Sequence, residues 1–92
     1  MTTRPELKTI ERLRLAAWWT VRWAQNAALR NDLHAFQAQC TAIAVVAEPT
    51  VLREQVVRLG EQLQALALRV EDERHRNAML FVASEAESYA AG

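Results

Sequence analysis

The feature that most constrains this chain is the placement of its helix breakers. Its only prolines are Pro5 and Pro49, and its only glycines are Gly60 and Gly92. Between Pro5 and Pro49 there is neither, and after Pro49 only Gly60 interrupts before the last residue. A fold that turns every ten residues needs far more punctuation. A few long helices with short connections are therefore expected. The 17 alanines agree with this, since alanine is the best helix former.

At 92 residues the chain is read as one helical domain spanning 1–92. A chain of this size buries roughly 60–65% of its unfolded surface, which leaves stability marginal unless something adds to it. Oligomerisation is a common remedy, and an apolar fraction of 51% suits it. The formal net charge is zero but unevenly spread. Residues 1–46 carry six Lys/Arg against three Asp/Glu, a net of +3, and residues 47–92 carry five against eight, a net of −3. The two halves can attract each other, within a chain or between chains. A neutral whole speaks against a dedicated nucleic-acid binder.

Cys40 stands alone, so no intrachain disulfide is available, and it reads as a small buried hydrophobe. The opening Thr-Thr-Arg-Pro-Glu-Leu-Lys is no signal peptide, having no apolar segment. The most apolar run, Leu33 to Ala47, holds Gln37, Gln39 and Thr41 and is too short and too polar to span a bilayer. A cytoplasmic protein without membrane association is expected. Ten of the 11 basic residues are Arg, which with the alanine excess is associated with GC-rich bacterial or phage genomes.

Thr3 and Glu6 fit a capping box with Pro5 in the first turn, so the first helix is expected over about 4–30. Asn31 reads as its C-cap and Asp32 as the N-cap of a second helix over about 33–47, with an unbroken helix through this pair as the alternative. Apolar residues fill most of that segment, and none of it carries a fixed charge. Leu33, Phe36, Cys40, Ile43 and Ala47 form one stripe, and Ala35, Ala38, Ala42, Val45 and Val46 form another on the far side. A helix apolar on both sides is expected to be buried on both, in the middle of the assembly.

Pro49 ends that helix and opens a third, expected over about 49–89. Leu52, Val56, Leu59, Leu63, Leu66 and Val70 recur at spacings of 4, 3, 4, 3 and 4, an a/d seam. Gly60 lies off the seam and reads as simply tolerated, with close approach of another helix as the alternative. Residues 69–76 hold seven ionisable groups in eight. The i,i+4 pairs Asp72/Arg76 and Glu71/His75 favour a continuous helix there over a junction. The expected fold class is thus all-α: a helical hairpin plus a long third helix, a three-helix bundle with a coiled-coil-like a/d seam in the third helix.

On a helical wheel Leu7, Ile10, Leu13, Ala17, Val21, Ala24 and Ala28 form the core arc of the first helix, with Trp18 at its edge as a further core residue. Trp19 and Trp23 fall on the other side, flanked by Arg12, Arg22 and Arg30. Aromatic anchors with an arginine rim are the composition of interface hot spots. The competing reading is that a helix of the same chain, or of a second copy, covers them.

His34 reads as exposed, and His75 among Glu71, Asp72 and Glu73 as part of a solvated salt-bridge network. Neither has the converging ligands of a metal site. No phosphate loop, nucleophile elbow or Cys-x-x-Cys motif is present, so no cofactor or catalytic residue is assigned. The expectation is a non-catalytic protein-binding module that forms a homodimer: a small bacterial or phage adaptor, chaperone or inhibitor. One alternative is a small helical enzyme using Glu73, Arg74 and Asn77 where the seam breaks. The other is a nucleic-acid-associated regulator that stacks bases on the Trp/Arg face.

Overall fold

Pro5 and Pro49 each open a helix, at a position whose N–H would have no partner anyway. The computed structural model describes residues 4–91. They form four α-helices: α1 Pro5–Thr20, α2 Ala27–Val46, α3 Pro49–Ala67 and α4 Glu73–Glu87, with 3-10 turns at Val21–Trp23 and Ser88–Ala91. The all-helical class stands, but four helices replace the expected three. Of the proposed capping box, Thr3 lies outside the described residues, and Arg4 is the N-cap without a side-chain hydrogen bond.

Two breaks differ from expectation. The first helix ends at Thr20, not near Arg30. Thr20, Val21 and Trp23 are β-branched or aromatic and hold helix weakly. The chain tightens into the 3-10 turn, Ala24 turns extended, and Asn26 caps α2 by accepting from the Leu29 N–H at 2.8 Å. Asn31 and Asp32 therefore lie inside α2, where Asp32 pairs with Arg69 at 2.6 Å. The long third helix also divides. Asp72 caps α4 by accepting from the His75 N–H at 3.0 Å instead of bridging one turn along a continuous helix. The i,i+4 pattern misled because a carboxylate just ahead of a free N–H caps a helix as readily as it pairs along one.

The two unforeseen breaks are tied together. Gln25 Nε2 donates to the Arg69 carbonyl at 2.6 Å, and its Oε1 accepts from the Glu71 N–H at 3.4 Å. Arg76 Nη1 donates to the Val70 carbonyl at 3.1 Å. Ala24 and Val70 are buried beside these links. Polar contacts thus replace the glycines that a chain reversal would otherwise invite.

α1 and α3 each pack against all the other helices, and α2 and α4 flank that pair. The core joins Ile10, Leu13 and Ala17 of α1, Leu29, Leu33, Phe36 and Cys40 of α2, the seam residues of α3, and Met79, Ala83 and Ala86 of α4. Of the seam, Leu52, Val56, Leu59, Leu63 and Val70 are buried and Leu66 is half-buried. Of the expected arc, Leu7, Ile10, Leu13 and Ala17 lie in α1 and face the core, Val21 and Ala24 do so from the turn beyond it, and Ala28 belongs to α2 and is exposed. α2 is a flank, not the middle. Its Leu33 stripe meets the core, while Ala35, Ala38, Ala42 and Val45 face solvent. The fifth member of that outer stripe, Val46, lies outside the described side chains.

Gly60 is required, so close approach of another helix holds and the favoured reading of simple tolerance does not. A Cβ there would lie 2.8 Å from the Ala86 Cβ and 3.0 Å from the Ala83 carbonyl oxygen. The glycine, with Ala83 and Ala86 opposite, lets α3 and α4 approach closely.

Candidate functional site

α1 and α4 run antiparallel, because Arg12 meets Glu85 at one end and Trp23 meets His75 at the other. Between them lies an open groove of about 450 Å³. α1 supplies Arg12, Leu15, Ala16, Trp19 and Thr20 to its walls, and α4 supplies Arg74, His75, Ala78 and Val82. The sequence explains the depression. Ala16 and Ala78 are small where flanking Trp19 and Val82 are large, so two packed helices leave a trough instead of a sealed seam. Thr20 closes its own polarity, its hydroxyl donating to the Ala16 carbonyl at 2.8 Å.

The ends of the groove are polar and ordered. Arg12 forks onto Glu85 with hydrogen bonds of 2.7 and 2.6 Å. Arg12 is exposed and Glu85 partly so, so the pair positions α4 on α1 more than it stabilises the fold. At the other end Trp23 stacks on His75, with ring centroids 4.8 Å apart and planes at 28°. His75 Nδ1 donates to Asp72 at 2.8 Å, and the two His75 hydrogen bonds, ring first and backbone second, hold the Asp72 carboxyl below its usual value. The cap of α4 thereby orients the surface on which Trp23 rests.

Trp19 is 58% exposed and Trp23 53% exposed, so the chain's own core covers neither. Trp18 is 46% exposed and meets Trp19 edge-on at 5.0 Å, which corrects its reading as core. Of the flanking arginines, Arg12 lines the groove and Arg22 is exposed in the 3-10 turn. Arg30 lies on α2, outside the groove lining, and donates to the Ala24 carbonyl at 3.3 Å. Sequence reasoning missed the α4 wall. The signal was the apolar run Ala78 to Ala83, which reads as core if α4 merely continues α3. Phe81 within it is in fact 65% exposed.

Glu73, Arg74 and Asn77 are exposed and do not lean inward, so the seam break forms no interior polar site. Among the described residues no three His, Cys, Asp or Glu side chains converge as metal ligands, and no helix is long and apolar enough to cross a membrane. His34 is exposed. Cys40 is buried and its thiol is pushed up to about 12 by that burial, so it is held as a neutral thiol. No protein-family model matches the chain, and neither a curated protein nor a solved structure matches it.

Proposed function

We propose that this chain is a non-catalytic partner-binding module and that the α1–α4 groove, with Trp19 and Trp23 at its mouth, is the docking surface. The carrying observation is the exposure of both tryptophans beside an apolar trough, in a chain whose core stripes on α1, α2 and α3 are well buried. Large exposed aromatics around a depression are the composition of binding hot spots, and isolated apolar residues scattered on a surface are not. Such a module suits a small bacterial or phage accessory protein that acts as an adaptor, chaperone or inhibitor.

A second copy is the other partner in this proposal. The observation that favours it is the solvent-facing side of α2. Ala28, Asn31, Ala35, Ala38, Ala42 and Val45 follow one another at spacings of 3 and 4 with no charged residue among them. Depletion of charge marks the centre of interfaces. The two surfaces lie on opposite flanks of the α1/α3 pair, so a homodimer through α2 leaves the groove open.

The test of docking is a Trp19→Ala, Trp23→Ala double variant. It should keep the helical circular dichroism and melting temperature of the parent, yet lose the protein that co-purifies from a bacterial lysate. A variant that folds and still retains every co-purifying protein removes the groove from the proposal.

A further inference from the structure

Building on the docking reading above, we infer that the occupant of the groove is an amphipathic helix carrying acidic residues beside its apolar stripe. The shape argues for a helix. The trough runs along two antiparallel helices, and its α1 wall from Arg12 to Thr20 is about 12 Å long at the helical rise, roughly two turns of a bound helix. Its apolar character continues onto both lips. Leu15 and Trp19 share one face of α1, and Arg74, Ala78, Phe81 and Glu85 share one face of α4 at spacings of 4, 3 and 4. A small ligand confined to the trough leaves Phe81 in water. A helix about 10 Å across, laid over it, covers both lips and follows the known helix-in-groove mode.

The charge argues for acidity. Arg12 and Glu85 satisfy each other, and Asp72 is taken by His75. Arg22 and Arg74 are exposed and form no ion pair among the described residues; the same holds for Glu71 and Glu73, but the groove lining includes Arg74 and no Asp or Glu. Arg74, at the start of α4, lines the groove, and Arg22 precedes Trp23 in the turn after α1. Carboxylates on an incoming helix complement this pair and raise its encounter rate.

The probe is a display library of helical peptides about 16 residues long. Apolar residues stand at i, i+4 and i+7, with Glu, Gln or Lys at the flanking positions, and selection is against the full 92-residue chain. Glu-flanked peptides should dominate, move the tryptophan emission to the blue as Trp19 is covered, and lose about tenfold in affinity on Arg22→Glu, Arg74→Glu. Lys-flanked peptides should gain on that same variant. Both arginines are exposed, and circular dichroism with an Arg22→Gln, Arg74→Gln variant checks that folding is kept. Peptides enriched without acidic preference, or bound equally by the charge-reversed variant, overturn the acidic helix and leave the groove as a docking surface. An emission shift produced by octanoate but by no peptide overturns it in favour of a small anionic amphiphile. If no probe binds and the double tryptophan variant also retains its co-purifying proteins, the docking reading falls as well.

Discussion

Gly60 shows most directly how a single residue sets the packing of this protein. Replacing it by alanine would gain about 1 kcal/mol of helix propensity if the position were free. It is not free. The nearest atoms to an added Cβ are the Ala86 Cβ at 2.8 Å and the Ala83 carbonyl at 3.0 Å, and neither can swing aside as a long side chain could. Overpacking costs about 1–3 kcal/mol, so the steric cost wins. Gly60→Ala should lower Tm in a circular dichroism melt, by about 4–8 °C for each kcal/mol of net loss. An unchanged or raised Tm would show that α3 and α4 can separate freely at this point. Position in the chain could not reveal the need, because Ala83 and Ala86 are distant from Gly60 in the sequence. The place of Trp19 was legible by contrast. Helical spacing sets Trp19 opposite the core arc, whereas Trp23 lies in the 3-10 turn beyond α1, and that both are exposed is decided by the fold.

At the scale of the element, the caps decide where helices begin. Asn26 and Asp72 are N-cap residues with ordinary extended geometry, and no described residue has a positive φ. Counting glycines and prolines therefore misses both starts, although an Asn and an Asp ahead of helical stretches were the available signal. Asp72 also carries a pH dependence. Its carboxyl is held below the usual value near 4 by His75, so its contribution to stability is present above that value and is lost as pH falls through the lowered one. Asp72→Asn keeps a cap oxygen for the His75 N–H but removes the charge. The parent should be the more stable at pH 6, and the difference should shrink as melts are taken toward pH 2. A difference that is constant over this range would mean that the charge of Asp72 contributes nothing to holding His75 beneath Trp23.

At the scale of the molecule, the layout leaves one flank of the α1/α3 pair grooved and aromatic, and on the other flank α2 presents an exposed stripe from Ala28 to Val45 that holds no charged residue. The proposed dimer uses the α2 stripe. Sedimentation equilibrium at micromolar concentration should give twice the 10.4 kDa chain mass. Ala38→Glu puts a charge in the middle of the α2 stripe, at an exposed position, and should give a folded chain of single mass. A parent that sediments at 10.4 kDa, or a variant that stays dimeric, would place the second copy elsewhere or nowhere.

The sequence by itself determined that the protein is helical, that Pro5 and Pro49 open helices, that the Leu52 to Val70 seam faces the core, and that Trp19 stands apart from the core arc of its helix. Each of these follows from local rules: a missing N–H, a repeat of 3.6, an arc on a wheel. Only the tertiary structure decided the other features. The chain breaks after Thr20 and after Ala67, and Gln25 joins the two loops across a long separation in the sequence. Gly60 is needed because α4 folds back onto α3. The groove exists because α4, freed by the second break, lies beside α1 and brings Ala78 and Val82 opposite Ala16 and Trp19. A periodic pattern specifies which face of a helix seeks a partner, and the return path of the chain selects the partner.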